Sequence, residues 1–97
     1  MLGDMTTEVR RNEAASRYEL LLDGLLVGIA DYYSDEGDRV VIPHTEIEAA
    51  RRGHGLGAIL VQGVLDDMRV RQAKIVPECW YVADFVEANP EYQDLVA

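Results

Sequence analysis

The sequence predicts an α+β fold of sandwich type, with helices packed on an antiparallel meander, in the order β-β-β-β-α-β-α. Two observations carry this. Asp23-Gly24 separates two runs of alternating apolar residues, and the apolar period lengthens from two to between three and four at Gly57. At 97 residues the chain has room for one core, so residues 1–97 are expected to form one domain.

Thr6 to Arg11 alternates and reads as a first strand. Ser16 to Leu22 alternates through Tyr18, Leu20 and Leu22, and Leu25, Val27 and Ile29 alternate again after Asp23-Gly24. An Asp-Gly pair so placed predicts a type I′ hairpin turn, which needs positive φ at both central residues. Ser34 to Asp38 reads as a second turn and Arg39 to Ile47 as the next strand. From Gly57, apolar or small residues fall at Leu60, Val61, Val64, Leu65 and Met68, one face of a helix expected over about 55–72. Ala73 to Pro77 is a short strand, parallel to the strand before the helix because a helix crosses between them. Val82, Phe85 and Val86 mark a second helix, which Asn89-Pro90 stops.

Charge narrows the function. The net charge is −9, which repels a nucleic-acid backbone. Residues 51–76 carry five bases and two acids, an island of net +3 in an otherwise acidic chain. Such an island suits a small anion better than a polyanion. No apolar run approaches the length of a membrane span, and Met1-Leu2-Gly3-Asp4 lacks the basic and apolar regions of a secretory signal. The single cysteine, Cys79, forms no internal disulfide and fits a reducing compartment, so a cytoplasmic protein is expected. Two separated histidines and scattered carboxylates give no metal-ligand spacing, so no metal is expected.

The island begins at Arg51-Arg52-Gly53-His54-Gly55-Leu56-Gly57-Ala58. Three glycines in five residues beside a helix start are costly unless a ligand must approach bare backbone. The first helical turn offers unpaired N–H donors and partial positive charge, and Arg51 and Arg52 add fixed charge. This is chemistry for a pyrophosphate. Arg69, Arg71 and Lys74 lie too far along the helix to share it.

Arg52-x-x-Gly55-x-Gly57 resembles the Arg/Gln-x-x-Gly-x-Gly/Ala signature of GNAT-type N-acetyltransferases, where it binds the pyrophosphate of coenzyme A. Val41 to Ile47, with His44-Thr45-Glu46, resembles the His-Thr-Glu strand of the short, single-domain GNAT-like proteins. Pro77-Glu78-Cys79 is similar to their Pro-x-Cys element. Asn89-Pro90-Glu91-Tyr92 is similar to their His-Pro-Glu-Tyr ending, with Asn in place of His. The resemblance implies a minimal GNAT-like fold and acetyl-coenzyme A as acyl donor, held by Arg52, Gly53, His54, Gly55, Leu56 and Gly57. It also implies that the strand before the glycine loop splays from the next strand to admit the pantetheine arm, a break that Pro43 suits because it lacks a ladder donor. Full-length acetyltransferases place two helices between their first two strands to wall the acceptor site. Arg11 to Ala15 leaves no room for them here.

Acetyl transfer needs a base for the acceptor ammonium. His44 and Glu46 are two apart on one strand and share a face, so either could serve, or both could be solvated strand-end groups. Cys79 follows the second parallel strand, and its options are an acetylated nucleophile, a lining thiol or a buried hydrophobe. Tyr81 and Tyr92 are candidate acids for the leaving thiolate, and Trp80, Tyr32 and Tyr33 suit packing. The expected activity is acetyl transfer to a small-molecule or protein amine, with a non-catalytic coenzyme A- or acyl-coenzyme A-binding module as the alternative and a ligand-free interaction domain behind both. The acidic flanks suit a cationic acceptor such as a polyamine or lysine side chain.

Overall fold

A computed structural model describes residues 6–97. Four antiparallel strands come first: β1 (Thr7–Asn12), β2 (Arg17–Leu22), β3 (Leu25–Ser34) and β4 (Val40–Ile47). Helix α1 (Leu56–Val70), strand β5 (Ile75–Val76), helix α2 (Trp80–Ala88) and a 3-10 segment (Pro90–Leu95) follow. The sheet order is β1-β2-β3-β4-β5, and β5 runs parallel to β4, as the crossover requires.

The Asp23-Gly24 turn has φ of 50° and 84°, the two positive values its type demands. Only Glu13 to Ser16 join β1 to β2. Apolar residues of one sheet face (Tyr18, Leu20, Leu22, Val27, Ala30, Ile42 and Ile75) pack with Leu60, Val64, Leu65 and Met68 of α1 and Val82 and Val86 of α2 in one core. Gly63 lets α1 lie close on β1, for a Cβ there would sit 2.6 Å from Val9.

The opposite sheet face presents Leu26, Ile29, Asp31 and Tyr33 of β3, with Glu46 of β4 paired to Ile29 and His44 to Asp31. Glu19, also on this face, is 3% exposed because Arg10, Asn12 and Arg17 all donate to its carboxylate. Those donors hold the carboxyl below its usual range against the opposing pull of burial.

Two boundaries differ from expectation. α1 stops at Val70 because Gln72 takes φ of 56° and Ala73 N–H returns to Met68 C=O at 3.0 Å, a Schellman closure without glycine. β5 is two residues rather than five or six, because its pairing to β4 ends at Val41–Val76. Its other edge is held by the tail: Val96 bridges Ile75, and Ala97 N–H donates to Ile75 C=O at 2.9 Å. Asn89-Pro90 ends α2 as expected, but the chain then coils into the 3-10 segment, which buries Tyr92 and Leu95.

Candidate functional site

The site begins with an irregularity in β4. Asp31 pairs with His44 and Tyr33 with Val41, so Ile42 and Pro43 together face Tyr32. This bulge bends β4 where pairing with β5 ends, and Pro43 occupies it without wasting a donor. Beyond the bulge, β4 stays paired to β3, and Glu48 N–H donates to Val27 C=O at 2.8 Å. Alternation then turns the backbone groups of Thr45 and Ile47 away from β3, toward the side that β5 has left. The last backbone-to-backbone bond across the gap is Cys79 N–H to Ile42 C=O at 2.9 Å.

The gap opens into a cleft of about 670 Å3. Pro43 to Ile47 form its β4 side; Arg51, Arg52, Gly53 and Gly55 to Gly57 form the glycine-loop side; Glu78 to Tyr81 form the third wall. The volume lies within the usual range for small-ligand sites. His44, Glu46 and Cys79 therefore meet Arg52, Gly53, Gly55, Leu56 and Gly57 around one space. His54 is exposed and is not among the lining residues.

The glycines have separate reasons. Gly53 and Gly55 adopt φ of 85° and 78°, and nothing lies within 4 Å of where their Cβ atoms would be. Left-handed backbone requires them, and the space beside them is open just before the helix start. Gly57 has a partner inside the protein: a Cβ there would meet the Tyr81 hydroxyl at 2.8 Å. Tyr81 thus lies across the first turn of α1.

Arg52 Nε donates to Ile47 C=O at 3.0 Å, which uses one of the carbonyls facing the gap and leaves the rest of the guanidinium without an ion pair among the described residues. Arg51 lies 3.5 Å from Glu48, and its Nε, though buried, has no hydrogen bond. His44 Nε2 and Glu46 Oε1 are 3.1 Å apart and both side chains are exposed. Cys79 Sγ lies 3.4 Å from Thr45 Oγ1 at the head of α2. Burial pushes its thiol up, but Thr45 and the N–H groups of Val82, Tyr81 and Thr45 outweigh that, so its pKa falls below the ordinary value.

Tyr92 is not placed as an acid for this cleft. Its buried hydroxyl donates to Asp66 at 2.7 Å, and that bond, with burial and the nearby carboxylates, pushes its pKa up to about 12. The rest of the basic island is also engaged: Arg69 pairs with Asp94, Arg71 with Asp67, and Lys74 donates to Asp94 C=O. Thr45 as the thiol's partner and Trp80 on the cleft wall were not legible as site residues. The nearest signals are the His44-Thr45-Glu46 stretch for Thr45 and Pro77-Glu78-Cys79 for Trp80.

The profile of the GCN5-related N-acetyl-transferase family matches residues 17–95. Among relatives, protein NATD1 of Gallus gallus is 29% identical over 84 residues, covering 86% of this chain and 76% of its own length. Protein NATD1 of Danio rerio is 27% identical over 95 residues, covering 95% and 86% respectively. The Homo sapiens protein of that name is 36% identical over 59 residues, covering 60% and 52%.

Proposed function

The chain belongs to the GCN5-related N-acetyltransferase family, and from that premise we propose that it transfers an acetyl group from acetyl-coenzyme A to a primary amine. The observation that carries this reading is the gap in the sheet, in which β4 backbone without a strand partner faces the open glycine loop before α1, beside Arg52. Those groups fit the two ends of the donor: N–H groups and a guanidinium for phosphate, strand-like backbone for an amide-bearing arm. When bound, the donor supplies a thioester, so a C–N bond to the amine forms as the C–S bond breaks and the coenzyme leaves as its thiol.

The protein's own residues then divide the work. Arg52 and the backbone of Gly53 to Gly57 hold the pyrophosphate, with Leu56 beneath and His54 at the loop's outer rim. Glu46 accepts the ammonium proton, and His44 at 3.1 Å orients its carboxylate. Cys79 lines the pocket, and Tyr81 is the hydroxyl available to the departing sulfur. A cytoplasmic setting accompanies this reading, since it keeps that thiol reduced. No metal is assigned a role.

A second reading is a module that holds acyl-coenzyme A without turnover. It is favoured by the Glu13–Ser16 turn, which leaves the sheet face carrying His44 and Glu46 without a covering helix among the described residues. Calorimetry with coenzyme A, followed by thiol release from acetyl-coenzyme A across an amine panel, separates the two. Glu46→Gln is expected to lower turnover by about a hundredfold or more while leaving coenzyme affinity within twofold. Coenzyme binding without thiol release for any amine would establish the module, and no binding would overturn both readings.

A further inference from the structure

Seven large apolar side chains of the described residues are exposed, and of these only Trp80 lines the cleft. It is 73% exposed and directly follows Cys79. Its ring meets Tyr81 edge-on at 5.7 Å and 90°, and Tyr81 lies against Gly57. An aromatic face turned to solvent on the wall of a cleft is free to meet a ligand. Its surroundings specify that work. Residues 77–97 contain no Lys, Arg or His, so the wall that bears Trp80 is aromatic and acidic. Glu78 beside it has no ion pair among the described residues. The cationic groups of the cleft, Arg51 and Arg52, lie on the glycine-loop wall.

We infer that Trp80 selects the acceptor, and that it selects a primary alkylamine carrying a second positive charge. The inference rests on the acetyltransferase reading and names its acceptor. The attacking nitrogen must be neutral, so the charge that an aromatic face and a carboxylate recognise has to sit on another group of the same molecule. A free diamine and a lysine beside a second basic residue share this chemistry.

The experiment uses Trp80 as its own reporter, since it is the only tryptophan. Calorimetry first establishes that coenzyme A binds. The loaded protein is then titrated with 1,4-diaminobutane, butylamine and 4-aminobutyrate, and with an N-acetylated Lys-Lys peptide. Saturable changes in emission are expected with the first and last, at concentrations roughly tenfold below butylamine, and none with 4-aminobutyrate. Whichever of the diamine and the peptide saturates first identifies the source. Trp80→Leu should raise KM for that amine roughly tenfold, with kcat and coenzyme affinity within twofold, and Trp80→Phe should recover most of the loss. Equal responses to butylamine and the dication, or an unchanged KM in Trp80→Leu, would overturn this inference alone. Absence of coenzyme binding would overturn the acetyltransferase reading with it.

Discussion

The two ends of α1 carry the same kind of residue and use it in opposite ways. At the far end, Arg69, Arg71 and Lys74 are each tied to an acceptor within the protein, and Tyr18 and Tyr92 reach across to Asp67 and Asp66. At the near end, Arg52 spends one N–H on a strand carbonyl, and the helix start is open space beside Gly53 and Gly55. Basic residues close in sequence are thus divided between holding the fold and facing a cleft. A count of positive charge over residues 51–76 is therefore a poor measure of a binding site; what matters is which cations keep free donors facing open space.

The sharpest test of this division lies at the far end. Tyr18 is 1% exposed and its hydroxyl donates to Asp67. Tyr18→Phe is expected to cost about 1–3 kcal/mol of stability by denaturant unfolding, the range for stranding a partly buried partner, with no change in coenzyme affinity. A loss of affinity would mean that the two ends are coupled and the contrast is false. The mirror variant, Arg52→Ala, should leave stability within about 0.5 kcal/mol and weaken coenzyme A binding roughly tenfold, with a shallower salt dependence. Unaltered affinity across a salt series would remove the near end from the binding site.

Acid sharpens the same comparison more gently. Burial raises the Asp67 carboxyl, but the Tyr18 hydroxyl and the Arg71 guanidinium outweigh it, so its folded pKa lies below the ordinary value. A depressed carboxyl contributes stability above its unfolded pKa of about 4, and that contribution is lost as pH falls through the folded value. The Glu19 carboxyl, lowered by its Asn12 and Arg partners, acts in the same direction. Urea midpoints should therefore fall below about pH 4, and less steeply in Tyr18→Phe. Parallel profiles for parent and variant would show that the Tyr18–Asp67 bond does not set the acid response.

What the sequence disclosed follows the range of the interactions involved. The Asp23-Gly24 hairpin, the buried face of α1 and the parallel β5 depend on neighbours within a turn or on chain connectivity, and all three were legible. So was the convergence of His44, Glu46 and Cys79 on the glycine loop, because strand ends and a helix start meet at one edge of such a sheet. The Thr45–Cys79 contact, the Tyr92–Asp66 bond and the Tyr81–Gly57 contact join residues 24 or more apart with no periodic signature. Tyr92 shows the cost: next to a Pro-Glu pair it resembles an acid of the site, and only the coil of the 3-10 segment takes it to Asp66. Gly57 shows the reverse, since a glycine that suits a ligand also makes room for a tyrosine.

The tail gives the cleft a mechanical property. One wall of the gap descends from β5, a strand of two residues, and β5 is gripped on its outer edge by Val96 and Ala97. A strand that short has little stiffness of its own. That wall therefore depends on the pairing of Val96 and Ala97 with β5. Loss of the Val96 and Ala97 contacts with Ile75 would slacken β5 and with it the seat of Cys79 and Trp80, while the meander on the other side of the gap kept its shape.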